Sequence, residues 1–122
     1  MDPNIAFKGE KAAELVRPLV KLLKSSEGLL NFEALMGLTN LASMSEEIRE
    51  RIVRERGVRE IEFHMFSEHE MIQRAATEAM CNLMSTPEVF DRYAEAENSE
   101  KMRIFIGLSD VEVLIIFFFL FK

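Results

Sequence analysis

The stretch Phe32–Ser43, which reads FEALMGLTNLAS, has a counterpart 42 residues later in Arg74–Ser85, which reads RAATEAMCNLMS. At the same shift, Val16–Ser25 aligns with Val58–Ser67. Eight of the 31 aligned pairs over 16–46 are identical, which exceeds chance expectation. A period of about 40–47 residues is typical of armadillo and HEAT helical repeats. The sequence therefore predicts a helical-repeat solenoid, and Ser109-Asp110 marks the start of a third unit.

The first long helix is predicted to run from Gly28 to about Ser43, because its apolar residues are three and four positions apart. Its predicted buried stripe consists of Leu30, Ala34, Leu38 and Leu41. Ser45 is the predicted N-cap of the next helix. That helix should stop near Gly57, because glycine is favoured just after a helix end.

A third, shorter helix is predicted over Val58–Phe66, with Ile61 and Met65 facing inward. Ser67 is then predicted to cap the second long helix, Glu70–Ser85, with Glu70 completing a capping box. The predicted buried residues of that helix are Ile72, Ala76, Met80 and Leu83. Pro87 is predicted to begin the following helix, where its missing N–H has no cost.

Three helices per unit favour the armadillo pattern over the two-helix HEAT pattern. Pro18 is compatible with the kinked first helix of a HEAT repeat, so a HEAT-like solenoid stays open as the lesser alternative. The predicted fold class is all-α, an armadillo-like solenoid of two full repeats and a partial third.

Composition excludes several classes of function. The 122-residue chain carries a net charge of −6, whereas a nucleic-acid-binding domain needs a basic surplus. The single cysteine rules out an intramolecular disulfide framework and is typical of a reducing compartment. The N-terminal sequence lacks a basic region followed by an apolar run, so we expect no secretory signal.

Residues that carry chemistry are sparse. His64 and His69 are five positions apart, whereas two metal ligands on one helix face need a spacing of three or four. They are interpreted as two surface histidines beside a loop. Cys81 is interpreted as a small buried thiol, with a reactive role as the alternative. The glycines form no phosphate-binding loop. We therefore expect no enzyme, no cofactor and no metal.

The long helix of each unit should line the concave face of a solenoid, where polar ladders can repeat. Asn40 and Asn82 occupy equivalent positions there, and an asparagine amide can pair with the backbone of an extended peptide. The alternative is that each asparagine ties down the adjacent inter-repeat loop. The predicted groove residues are Phe32, Met36, Asn40, Arg74, Glu78 and Asn82. For Phe32 and Met36, packing against the neighbouring repeat is the alternative to ligand contact.

The segment Asn31–Leu83 closely resembles the UCS domain of the Unc-forty-five/Cro/She family of myosin chaperones. The specific part is the pair FEALMGLTNLA and EHEMIQRAATEAMCNL at their observed spacing. The resemblance extends over roughly residues 7–112 and is to the C-terminal part of the UCS domain of the animal members.

The resemblance implies an armadillo solenoid whose groove engages the myosin motor domain. It also implies a cytoplasmic co-chaperone of heat-shock protein 90 that supports myosin folding and muscle filament assembly. In the family, heat-shock protein 90 docks mainly on a tetratricopeptide domain, and this sequence contains no such repeat. We expect three parts: an N-terminal segment 1–10, the UCS-type repeat region 11–112, and a divergent tail 113–122.

The tail departs from the family. Val113–Phe121, VLIIFFFLF, is far shorter than the roughly 20 residues a membrane-spanning helix needs, so no membrane association is expected. Its uncharged aromatic and β-branched composition is typical of an aggregation-prone segment. We interpret it as a truncated, alternatively spliced or mispredicted end, or as a surrogate helix over the last open face. Two alternative functions stay open: a generic armadillo interaction scaffold, or a product without independent activity.

Overall fold

The computed structural model describes residues 10–95, which are helical and joined by short turns. In chain order the helices are α1 (Glu10–Glu14), α2 (Val16–Leu22), α3 (Gly28–Ala42), α4 (Glu46–Arg54), α5 (Gly57–His64), α6 (Glu70–Leu83) and α7 (Pro87–Ala94). Three predicted parts of the chain lie outside the described residues: residues 1–9 of the N-terminal segment, the third unit from Ser109, and the tail Val113–Phe121. The boundary at residue 112 lies outside them as well.

The helices follow the sequence repeat. The starts of α5, α6 and α7 lie 41 or 42 residues after the starts of α2, α3 and α4. Helix α3 packs along α6, which also contacts α5, while α2 and α4 pack against α3. The described helices therefore form successive units of two short helices and one long helix, which is the armadillo-like arrangement.

The core lies between the two long helices and the short helices behind them. Leu35, Leu38, Ile52, Ile61 and Met80 are among its largest fully buried side chains. Of the two predicted apolar stripes, Leu30 alone is half-buried, and all the other members are buried. Ile61 and Met65 also point inward as predicted. Three- and four-residue spacing was sufficient to identify the buried faces of α3 and α6.

Two predicted helix ends are confirmed by their geometry. The Ser45 hydroxyl oxygen accepts a hydrogen bond from the Ile48 N–H at 3.2 Å, which makes Ser45 the N-cap of α4. Pro87 occupies the first turn of α7. In both cases the side chain or ring suits a helix start, where backbone N–H groups have no intrahelical partner.

The predicted capping box at Ser67 is wrong. Helix α6 begins at Glu70 with His69 as its N-cap, and His69 makes no side-chain capping bond. The Ser67 hydroxyl instead accepts a hydrogen bond from the His69 N–H at 3.1 Å. Ser25, its equivalent in the first unit, accepts one from the Glu27 N–H at 3.1 Å. The repeated serine therefore shapes the turn before each long helix.

The predicted role of Gly57 is also wrong. Arg56 adopts the left-handed conformation after α4, with φ 65°, and Gly57 is the first residue of α5. A Cβ atom on Gly57 would lie 2.7 Å from Ile52 Cγ2 and 3.2 Å from Val20 Cγ2. Glycine is required here by the close approach of α5 to the core, and not by its backbone conformation.

Polar side chains join the two units. The Arg49 guanidinium donates to the Ala42 carbonyl at 2.9 Å and to the Thr86 hydroxyl at 3.2 Å, so it connects the end of α3 to the start of α7. A second polar contact joins α5 and α7. Tyr93 of α7 is buried and hydrogen-bonds the carboxylate of Glu62 in α5. Burial of its hydroxyl, with the Glu62 charge nearby, raises the pKa of Tyr93.

Candidate protein-binding groove

A shallow groove lies between the exposed sides of α3 and α6. Its cavity has a volume of about 230 Å³. Four of the six predicted groove residues line it, together with two others; the lining is Phe32, Met36, Met71, Arg74, Ala75 and Glu78. We call this surface the α3–α6 groove.

The floor of the α3–α6 groove is apolar and partly solvent-exposed. Met36 is 41 % exposed and Met71 is 67 % exposed, whereas Phe32 is half-buried and packs against the core. Phe32 therefore combines the two roles open to it in the sequence, because part of the ring packs inward and part lines the groove. Exposed methionines present a flexible, polarizable surface that can adapt to different apolar side chains.

Charged side chains border this floor. Arg74 is exposed and lies 3.7 Å from the Glu70 carboxylate one helical turn earlier, and Glu78 is half-buried. An ion pair this exposed contributes little to stability, so Arg74 stays available to a ligand. An apolar centre with a charged rim is the usual composition of a protein-binding surface. The groove can thus hold one apolar side chain of a partner and pair with polar groups beside it.

The two asparagines of the predicted ladder differ. The Asn82 amide Nδ2 donates a hydrogen bond to the Thr39 carbonyl at 2.9 Å, which ties α6 to α3. Asn40 is exposed, and no described residue hydrogen-bonds its side chain. A bond equivalent to that of Asn82 would need a carbonyl on a long helix one repeat before α3. The described residues contain no such helix. Neither asparagine lines the cavity itself, so their contact with a ligand stays a prediction.

This difference predicts opposite effects for two matched substitutions. Asn82→Ala removes an inter-repeat hydrogen bond and should lower the free energy of unfolding by about 1 kcal/mol. Asn40→Ala removes an exposed, unbonded side chain and should change it by less than about 0.5 kcal/mol. Urea denaturation followed by circular dichroism measures both. Equal destabilisation by the two substitutions would contradict the assignment.

Met71 was missed by the sequence reasoning. It lies three residues before Arg74, on the same side of α6, and its equivalent in α3 is Leu29, which is 68 % exposed. The repeat itself carried the signal, because Leu29 and Met71 occupy matching positions just before the predicted groove residues Phe32 and Arg74. A large apolar residue at the same exposed position of both long helices extends the apolar strip toward their N-termini.

His64 corrects another sequence interpretation. It is 6 % exposed, and its Nε2 lies 2.7 Å from the Leu23 carbonyl oxygen. Because a carbonyl only accepts hydrogen bonds, Nε2 carries the proton and donates. His64 is therefore a buried structural residue that holds α5 against the α2–α3 turn, and only His69 is exposed. Cys81 is buried, as its sequence context indicates.

Other kinds of site have little support among residues 10–95. No group of three or more His, Cys, Asp or Glu side chains in this range could hold a metal ion. None of the helices in this part of the chain is long and apolar enough to cross a membrane.

Comparison with known proteins gives consistent matches. Protein unc-45 homolog B of Danio rerio is 49% identical over 108 residues, which is 88% of this chain and 12% of that protein. The solved structure of UNC-45 from Drosophila melanogaster has a TM-score of 0.77 and 36% identity, and covers 93% of this chain and 14% of its own.

A second solved structure is of a UNC-45 chaperone that binds and folds muscle myosin. It has a TM-score of 0.71 and 39% identity, and the match covers 79% of this chain and 11% of that one. No family model matches the chain. The chain thus spans about an eighth of the length of the curated relative it matches. The expectation of a non-enzymatic protein agrees with the chaperone role of the UNC-45 protein in the second solved structure.

Proposed function

The chain is a homologue of the UNC-45 family over most of its length and matches a small part of the full protein, and from this premise we propose that it is a chaperone module that binds the myosin motor domain. The α3–α6 groove is the proposed contact surface. The proposed contact residues are Phe32, Met36, Asn40, Arg74, Glu78 and Asn82, with Met71 added because it lines the same cavity.

The observation that carries this proposal is the composition of the groove. Phe32, Met36 and Met71 give it an apolar floor, and Arg74 and Glu78 give it a charged rim. A chaperone must hold apolar segments of a partly folded client without one fixed sequence, and adaptable methionines suit this task. The homologous UNC-45 chaperone binds and folds muscle myosin, which supports myosin as the client.

The proposal has wider parts that rest on the family. They are a cytoplasmic location, cooperation with heat-shock protein 90, and support of muscle filament assembly. We also propose the division into segment 1–10, repeat region 11–112 and tail 113–122. The described helices fall almost wholly within the proposed repeat region, which is the part assigned to client binding.

A charge placed in the groove should test the assignment. Met36→Glu puts a carboxylate on the apolar floor of the groove, near Glu78. A bound apolar side chain would shield this carboxylate from water, which is costly for an unpaired charge. We expect the affinity for a purified muscle myosin motor fragment to fall at least about tenfold, because central interface positions contribute most of the binding energy. Titration of the full chain with the motor fragment, followed by calorimetry, measures this.

Met44→Glu is the matched control. Met44 is 43 % exposed, compared with 41 % for Met36, and it lies in the turn after α3, outside the groove. It should leave motor affinity and the helical spectrum unchanged. Equal affinity for both variants would remove the groove from the proposal. A generic armadillo scaffold would be favoured if the unmodified chain failed to bind the motor but still bound an unrelated apolar peptide.

A further inference from the structure

Two phenylalanine rings protrude near the end of α5. Phe63 is 73 % exposed and Phe66 is 52 % exposed. They line a cavity of about 400 Å³ that shares no lining residue with the α3–α6 groove. We call it the α5 aromatic cavity. Exposed aromatic side chains beside a cavity are typical anchors for a protein partner, because they bury a large apolar area with few rotatable bonds.

The two turns that precede the long helices both contribute to this cavity. Its lining takes residues from the α2–α3 turn and from the α5–α6 turn, which are equivalent in the repeat. Each turn contains the same hydrogen bond. Ser25 Oγ accepts from the Glu27 N–H at 3.1 Å, and Ser67 Oγ accepts from the His69 N–H at 3.1 Å. The backbone that carries the rim residues is therefore held in the same way in both units.

The base of the α5 aromatic cavity is fixed by buried hydrogen bonds. The Asn31 amide Nδ2 donates to the Leu22 carbonyl at 2.9 Å. His64 Nε2 donates to the Leu23 carbonyl at 2.7 Å, and its ring packs edge-on against Phe63, with centroids 5.4 Å apart. A ligand would therefore meet a preorganised surface, which lowers the entropic cost of binding.

The rim of the cavity is acidic. Glu27 lies between two lining residues of the α2–α3 turn, Glu68 lies between two lining residues of the α5–α6 turn, and Glu70 directly follows the lining residue His69. All three glutamates are exposed. No lysine or arginine is among the described residues that line the cavity. An apolar centre with a negative rim is complementary to a partner that is apolar and basic.

Two of the three rim carboxylates are available to a partner. Glu70 shares an exposed ion pair with Arg74, at 3.7 Å. Glu27 and Glu68 form no ion pair with any residue in the part of the chain that the structure describes. They come from different turns, so the cavity presents one unpaired carboxylate from each unit.

We propose that the α5 aromatic cavity is a second docking site, and that it binds a basic segment of a protein partner in which arginine stands beside a large apolar side chain. The apolar side chain packs against Phe63 and Phe66. The guanidinium pairs with Glu27 or Glu68, because its planar fork matches a carboxylate and also stacks on aromatic faces. This site is separate from the α3–α6 groove and does not rest on the function proposed for that groove.

Fluorescence anisotropy with the full chain at physiological salt tests the proposal. The probe is a labelled heptapeptide with a central tryptophan, one arginine on each side of it, and glycine and serine elsewhere. One control peptide has serine in place of the tryptophan, so it measures the general attraction of a basic peptide to a chain of net charge −6. A second control has glutamates in place of the arginines. We expect the probe to bind at least about tenfold more tightly than either control.

The aromatic part of the site is tested by the double substitution Phe63→Ser and Phe66→Ser. It should weaken binding of the probe at least about tenfold, because it removes both apolar anchors. Both rings are more than half exposed, so the helical spectrum should be retained. Met44→Ser, which replaces an exposed apolar residue outside the cavity, should leave the affinity unchanged.

The acidic rim is tested by the double substitution Glu27→Gln and Glu68→Gln, which should weaken binding of the probe at least about fivefold. The matched control is Glu47→Gln with Glu88→Gln. It makes the same change in net charge, at exposed residues in the first turns of α4 and α7 that do not border the cavity. Acidic residues also stabilise helix N-termini, and the control reproduces that effect. It should change the affinity by less than about twofold.

Three results would overturn the proposal. The first is no binding of the probe, or binding that the phenylalanine double variant does not change. The second is an equal loss of affinity in the two glutamine double variants, since net charge alone would then attract the peptide. The third is a dimer in sedimentation velocity that the phenylalanine double variant converts to monomer, since a second copy of the chain would then occupy the cavity. None of these results depends on motor binding, which the α3–α6 groove variants measure separately.

Discussion

Replacing Leu38 with alanine is expected to lower the free energy of unfolding by about 3 kcal/mol, within the range of about 2–5 kcal/mol for buried leucines. Leu38 is 0 % exposed and lies in α3, which packs against α2, α4 and α6. The substitution removes apolar contacts and leaves a cavity that these helices cannot all close. Domains of this size have a total stability of only about 5–15 kcal/mol, so the loss is large.

Thermal melting followed by circular dichroism measures the effect of Leu38→Ala. A loss of 3 kcal/mol should lower the melting midpoint by more than about 10 °C in a domain of this size. Leu29→Ala is the control, because it makes the same chemical change in the same helix at a side chain that is 68 % exposed. The control should differ from the unmodified chain by less than about 0.5 kcal/mol. Similar midpoints for the two variants would contradict the assigned core.

The second large effect is expected at Gly57, where alanine should lower the free energy of unfolding by about 1–3 kcal/mol. The added Cβ would lie 2.7 Å from Ile52 Cγ2 and 3.1 Å from the Ile52 carbonyl oxygen. Ile52 is fully buried, so its side chain has no free space to move into. Relief of this contact requires a shift of α5 relative to α4, which disturbs the packing of both short helices on the core.

Gly28→Ala is the matched control for Gly57→Ala. Both glycines begin a helix, but a Cβ on Gly28 would meet only Ile72 Cδ1 at 3.5 Å, an ordinary van der Waals distance. Alanine at Gly28 should be neutral or stabilise by up to about 1 kcal/mol, because it reduces the flexibility of the unfolded chain. Chemical denaturation of both variants measures the difference. Equal stability of Gly57→Ala and the unmodified chain would show that the close approach at α5 has no energetic cost.

The repeat made most of the fold predictable. A shift of 42 residues aligned the units, and three- and four-residue spacing identified the buried faces of the two long helices. These signals are strong because the same physical requirement, a buried face on a 3.6-residue helix, acts twice in one chain. Short-range turn chemistry was less predictable. Ser67 precedes a helix with an acidic residue three positions later, as in a capping box, but its hydroxyl binds the N–H of His69 outside the helix.

Contacts between units were beyond sequence reasoning. His64 is a polar residue near a loop, and nothing local indicates that its partner is the carbonyl of Leu23, 41 residues earlier. Gly57 is a second example. The close approach of Ile52 and Val20 requires a glycine there, and only the folded packing brings Val20 near it. Such contacts depend on how one unit stacks on the next, which the repeat period alone does not determine.

The candidate site shows the same division. The face of each long helix could be predicted, and four of the six predicted residues line one cavity. The equivalence of Asn40 and Asn82 could be predicted as well, but their different bonding could not. Asn82 has a long helix before it, and its amide reaches the Thr39 carbonyl. Asn40 has no such neighbour among the described residues, so the same residue type has a different environment.

The most direct test is a circular-dichroism melt of the full chain with and without a muscle myosin motor fragment. Binding through a folded α3–α6 groove predicts a cooperative helical melt whose midpoint rises with the motor, since a ligand at 100 times its dissociation constant stabilises the folded state by about 2.7 kcal/mol. The Met36→Glu chain should melt at the same temperature alone and show a much smaller rise with the motor. A cooperative melt that the motor does not shift, or an equal shift for the Met36→Glu chain, would contradict myosin binding through this groove.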